Sequence, residues 1–153
     1  MTDHPFARVP LPERPDLVLH RRAAYGDVPD SIGAARDLTR AFLADIPEEA
    51  AALSDQTAGD VMLVVSELVT NAARHDSGAR LLDLACTARE VEVTVWDTSS
   101  QLPQRFPRDP DRIGGHGIEI VARLCSAFEA EAVPGGKRVH ARIALKGARH
   151  PTG

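Results

Sequence analysis

Residues Val91–Trp96 alternate strictly, with Val91, Val93 and Val95 apolar and Glu92, Thr94 and Trp96 between them. Successive side chains of a strand point to opposite faces, so this pattern gives a strand with one buried face, and that face needs a cover. A second β-type run, Leu81–Thr87, ends only a few residues earlier, and the two read as a hairpin. The cover is written upstream. From about Thr57 to Arg74, the residues Val61, Val64, Val65, Leu68 and Ala72 recur at helical spacing and form one stripe, with Gly78 just beyond its end. Before it, Asp30 or Ser31 reads as the N-cap of a helix carrying Ile32, Ala35, Leu38 and Phe42, which Pro47 ends. Leu17–Ala23 supplies a first strand. Downstream, Ile118, Val121, Ala122 and Leu124 mark a third amphipathic helix, and Ala127–Val133 with Arg138–Leu145 reads as a closing hairpin around Pro134-Gly135-Gly136. The order β-α-α-β-β-loop-α-β-β predicts an α+β domain whose helices cover one face of a mixed or antiparallel sheet.

Composition narrows the function classes. The 153 residues suit one domain. Lys and Arg total 18 against 22 Asp and Glu, so no basic stripe is available to capture phosphates, and direct nucleic-acid binding is not expected. No run of about 18 apolar residues offers a membrane span, and the start has no apolar segment of the secretory kind. Cys86 and Cys125 lack CxxC spacing, which predicts two reduced, buried thiols in a cytoplasmic protein. The histidines are scattered without ligand spacing, so zinc is not expected. Pro5, Pro10, Pro12 and Pro15 make residues 1–16 a flexible arm or an edge-hugging extension. Residues 17–146 form the domain, and 147–153 a flexible tail.

Three segments carry candidate chemistry. In Ser66-Glu67-Leu68-Val69-Thr70-Asn71-Ala72-Ala73-Arg74-His75, Glu67 and Asn71 lie one helical turn apart on one face, with Arg74 on a neighbouring face. A carboxylate can take a proton, an amide oxygen can ligate a hard metal ion, and a guanidinium can hold phosphate. Magnesium takes few protein oxygens and fills its octahedron with water and phosphates, which suits a single Asn. By spacing alone, this segment more commonly marks an ordinary solvated helix face. Asp97, at the end of the alternating strand, is placed to accept a hydrogen bond in a pocket mouth, although Asp also ends strands by capping the turn that follows. Gly114-Gly115-His116-Gly117 then leads straight into a helix, where glycines permit close backbone approach and free N–H groups attract phosphate. Between them, Thr98–His116 breaks all periodicity and contains Pro103, Pro107 and Pro110. A loop this long inside a small domain is usually functional or disordered.

Order and spacing of the three resemble the ATP-binding domain of the GHKL superfamily, which includes the sensor histidine kinases. Glu67-Leu68-Val69-Thr70-Asn71-Ala72 is similar to its N box, Asp97-Thr98-Ser99 to its first glycine box, and Gly115-His116-Gly117-Ile118 to its second. The phrase SELVTNAARHD and the ending GGKRVHARI further resemble the stand-alone anti-sigma-factor serine kinases of bacteria, the SpoIIAB and RsbW type. The resemblance spans roughly Ser31 to Leu145. It implies a Bergerat-type ATP-binding α/β sandwich, a mixed sheet covered on one face by three helices, with ATP and Mg²⁺ as cofactors. By the same resemblance Glu67 is the general base and Asn71 the Mg²⁺ ligand. Arg74 approaches the phosphates, Asp97 accepts the adenine amino group with Ser99 beside it, and Gly115, His116 and Gly117 close over the phosphates. It implies a sigma factor and a STAS-type antagonist as partners, and a homodimer.

The chain departs from the family pattern at three places. Ser99 stands where the first glycine box has Gly, His116 stands where Arg is common between the glycines, and Gly136-Lys137-Arg138-Val139 offers no Thr to help Asp97 around the base. Ser99 and the missing Thr favour the alternative of a non-catalytic module that keeps the fold and sequesters a partner. A module cut from a histidine kinase is the weaker third reading, because no helix with a phosphoacceptor His is recognisable.

Overall fold

The computed structural model describes residues 5–25, 31–75, 79–99 and 116–145. In chain order these form β1 (Leu19–Tyr25), α1 (Ser31–Asp45), α2 (Asp55–His75), β2 (Arg80–Cys86), β3 (Glu90–Asp97), α3 (His116–Leu124), β4 (Ala127–Val133) and β5 (Gly136–Ala144). The element order is the expected one. Gly78, most of the loop 98–116 and the tail 147–153 lie outside the described residues.

The five strands form one sheet in the order β1-β2-β3-β5-β4, and every neighbouring pair is antiparallel. The mixed sheet expected from the family resemblance is therefore corrected to an antiparallel one. Two helices separate β1 from β2, so the chain crosses the helical layer twice and re-enters the sheet in the opposite direction. One helix and the edge strand β4 separate β3 from β5, with the same result.

Helix α1 stops at Asp45, two residues before Pro47, whose ring disfavours helix in the residue preceding it. Helix α2 starts at Asp55, two residues earlier than the apolar stripe announces. There Ser54 is the N-cap: its Oγ accepts from Thr57 N at 3.1 Å, and its carbonyl accepts from Ala58 N. The last hairpin turns on Pro134-Gly135, where Gly135 has φ 89°, the left-handed conformation that the third residue of a type II turn requires.

The core lies between the helices and one face of the sheet. Val61, Val64, Val65, Leu68 and Ala72 of α2 are all buried there, as the stripe predicts, with Phe42 of α1 and Ile118 and Val121 of α3. They meet Leu82 and Leu84, then Val91, Val93 and Val95, then Val139, Ala141 and Ile143 from the inner face of β2, β3 and β5. Each buried Val, Leu, Ile or Phe among them contributes about 1.5–3 kcal/mol by leaving water, and each Ala less.

The other face of the sheet is covered over its centre, while Glu129, Glu131 and Arg142 stay exposed on it. Glu92, Thr94 and Trp96, the outward members of β3, are buried as well. The cover is the proline-rich segment from Pro5 to Leu17. Phe6 packs with Leu81 and Trp96, and Arg22 donates to the carbonyls of Val9 (2.6 Å) and Pro10 (3.0 Å). Arg14 reaches Glu92 at 2.7 Å. Trp96 is flanked by the guanidiniums of Arg22 and Arg138, each 5.9 Å from its ring centre. Both cysteines are free thiols: Cys86 is buried and Cys125 half-buried, and burial pushes both up to about 11.

Candidate functional site

On the inner face, three apolar rows run along the strands and end on a charge at the same edge. Leu84 and Leu82 lead to Arg80, Val93 and Val95 lead to Asp97, and Ala141 and Val139 lead to Lys137. The register pairs Arg80 with Asp97 and Asp97 with Lys137, so all three share a face, and all three are buried. Cation, carboxylate and cation thus stand side by side at the end of an otherwise apolar surface.

Asp97 divides its two oxygens. Oδ1 accepts from Ser99 N at 2.9 Å and so caps the turn that leaves β3. Oδ2 lies 3.0 Å from Lys137 Nζ, an ion pair out of line for hydrogen bonding, and neither atom has a hydrogen-bond partner. The turn-capping expectation holds for Oδ1, whereas Oδ2 faces Lys137 without a hydrogen-bond partner. Ser99 is buried beside it. Gly136 holds β5 close to this corner, because a Cβ there would overlap the carbonyl of Asp97.

Helix α2 packs on β3, on β5 and on α3. Glu67 and Asn71 lie one turn apart on it, half-buried along the flank of the core stripe rather than on the fully solvated side. Arg74 is in the last turn of α2, and its side chain is outside the described residues, as is that of His116. His116 opens α3, Gly117 lies in its first turn, and Gly115 is outside the described residues. Among the described residues no three His, Cys, Asp or Glu side chains gather to hold a metal. A divalent ion here would depend on Asn71 and on the ligand's own phosphates, which suits magnesium.

Lys137 is the site residue that sequence reading missed. It occupies the stretch where the family pattern has a Thr, and the register puts it directly opposite Asp97. A signal was present in the sequence: Lys137 has the same strand parity as Val139, Ala141 and Ile143, so it belongs to the buried face. Arg80 has the same parity as Leu82 and Leu84.

A family model for the histidine kinase-like ATPase domain matches residues 28–143, more than half of the chain. The chain belongs to that family. No curated protein matches it. Among solved structures, this histidine kinase-like ATPase domain is similar to the RsbU and RsbW domains of Rv1364c from Mycobacterium tuberculosis. That match has a TM-score of 0.61 at 18% identity and covers 88% of this chain and 35% of the other, so the chain spans about a third of its neighbour. The likeness is one of fold. No described helix is long and apolar enough to cross a membrane.

Proposed function

We propose that the chain binds ATP between α2, α3 and the inner face of the sheet, and that it is a cytoplasmic anti-sigma regulator with serine kinase activity toward a STAS-type antagonist. The observation that supports this most is Asp97: a buried carboxylate at the end of β3, on the face against which the helix bearing Glu67 and Asn71 packs, with Oδ2 lacking a hydrogen bond. In this reading Oδ2 accepts the adenine amine. Asn71 holds Mg²⁺, which when bound neutralises charge on the phosphates, and Arg74 and the start of α3 with Gly115, His116 and Gly117 hold the phosphates. Glu67 takes the proton of the partner's serine hydroxyl as its oxygen bonds to the γ-phosphorus and the bond from that phosphorus to ADP breaks. Such transfer depends mainly on positioning and charge neutralisation. The nucleotide-binding unit is residues 17–146, with a sigma factor as the alternative partner and a homodimer as the working state.

Radiolabel transfer and calorimetry test the assignment together. Glu67→Ala should lower transfer by about 10²–10⁴-fold while ATP still binds, since a general base acts on the nucleophile. Asn71→Ala should lose binding and transfer together. Equal ATP affinity with and without EDTA would remove the metal role of Asn71. The second reading, a non-catalytic module that sequesters a partner, is favoured by one observation: Lys137 already engages Asp97. It takes over if the wild-type chain transfers no phosphate to any cognate antagonist yet still holds its sigma factor.

A further inference from the structure

Lys137 has no part in the mechanism above, and its surroundings are unusual. Its side chain is fully buried, Asp97 is almost so, and the two heads are 3.0 Å apart without a hydrogen bond on Nζ or Oδ2. An ammonium has three donors to place and a carboxylate oxygen has two lone pairs. Leaving such groups unbonded away from water is unfavourable, so a neighbouring donor and acceptor in this condition suit a ligand that supplies the complementary pair. The strand register and the tight approach at Gly136 fix Lys137 opposite Asp97.

The adenine edge is such a ligand group. Its exocyclic amine is a donor, and a ring-nitrogen acceptor stands next to it on either side, N1 on one and N7 on the other. We infer that Lys137 is a base-specificity residue: Asp97 Oδ2 accepts from the adenine amine while Lys137 Nζ donates to the ring nitrogen beside it. This rests on the reading of Asp97 as the amine acceptor. It gives the chain a direct, charged donor where the family pattern has a Thr, and it makes the ion pair part of base recognition rather than an obstacle to it.

Calorimetry of the full chain with ATP, 1-deaza-ATP and 7-deaza-ATP tests the assignment, because each analogue replaces one ring nitrogen by C–H and keeps the amine. One of the two should bind wild-type protein about 10–100-fold more weakly than ATP, the range for losing one hydrogen bond to a charged group. That analogue names the nitrogen. Lys137→Met should bind ATP at the weakened level and no longer distinguish it from that analogue. If Lys137→Met does not fold by circular dichroism, the wild-type analogue series alone decides. Both analogues binding like ATP, or Lys137→Met binding ATP as well as wild type does, would overturn the inference. Should wild type bind no adenine nucleotide at all, the nucleotide reading itself falls and this inference with it. Should Asp97→Asn weaken ATP while the analogues match ATP, only the role of Lys137 falls.

Discussion

On the helix side of the sheet, β2, β3 and β5 present Leu82, Leu84, Val91, Val93, Val95, Val139, Ala141 and Ile143, and their charges are confined to one end. On the far side the same strands present Asp83, Glu92, Thr94 and His140 beneath the proline-rich segment, and these charges are spread along the strands and paired. Arg22 makes a two-armed contact with Asp83 (2.5 and 2.8 Å), Arg14 bonds Glu92, and Thr94 Oγ1 shares a 2.7 Å hydrogen bond with His140 Nδ1. Burial of a charge is therefore not what marks the candidate site. Asp83 is buried and its pairing with Arg22 is complete, which makes it structural. Asp97 is buried at the end of an apolar row with Oδ2 ion-paired to Lys137 but lacking a hydrogen bond, and on the reading proposed above a ligand would supply that bond.

The two faces should respond differently to truncation, and the inner face should respond most. Leu68→Ala removes a buried side chain from a close-packed layer and should cost about 2–5 kcal/mol in chemical denaturation. A loss well below that would mean that the layer relaxes into the space, and the contrast between the faces would weaken. Asp83→Asn comes next. It exchanges a charge-assisted pair for a neutral one under a half-buried guanidinium, with an expected cost of about 1.5–3 kcal/mol. ATP affinity should not change, because Asp83 faces away from α2. A drop in affinity would break the separation of the two faces.

Much of this arrangement was legible in sequence, where one period carried the signal. The α2 stripe from Val61 to Ala72 and the valine alternation of β3 each announce an element and its buried face, and Pro47 and Pro134-Gly135 mark a stop and a turn. Sheet direction was not legible, since it depends on how many times the chain crosses the helical layer. Nor was the covering of the far face: Phe6 has no periodic neighbours, and its fit to Trp96 and Leu81 exists only after folding. Within the site, Glu67, Asn71 and Asp97 stood out through their motifs. Lys137 did not, because its partner lies forty residues away in sequence and only the register joins them.

Arg14→Ala should have a smaller effect. The arginine is partly exposed, and water can replace it once the segment lifts, so the cost should be about 1 kcal/mol. The more telling readout is hydrogen exchange, which should rise in residues 5–17 and leave α2 unchanged. Equal acceleration in α2 would show that the segment and the core open together.

The smallest effect expected is a pH dependence that belongs to the far face alone. Burial holds the His140 imidazole below its ordinary value of about 6.5, helped by the positive charges of Arg138 and Arg142 and partly offset by Glu92 and Glu129. As pH falls through about 6.5, the unfolded chain binds a proton at this position and the folded chain does not, so stability falls with pH until the lower folded value is reached. Glu90 acts in the opposite sense. Burial raises its carboxyl above the ordinary glutamate value of about 4.3, so the folded chain takes up that proton first and gains stability as pH drops toward that value. The two contributions are separated by His140→Gln, whose amide oxygen can still accept from Thr94. Between about pH 7.5 and pH 5.5, wild type should lose more stability in denaturant titrations than the variant does. Equal losses would mean that His140 is not the group responsible. A pH dependence of ATP binding that disappears in His140→Gln would show the far face reaching the nucleotide site through the sheet.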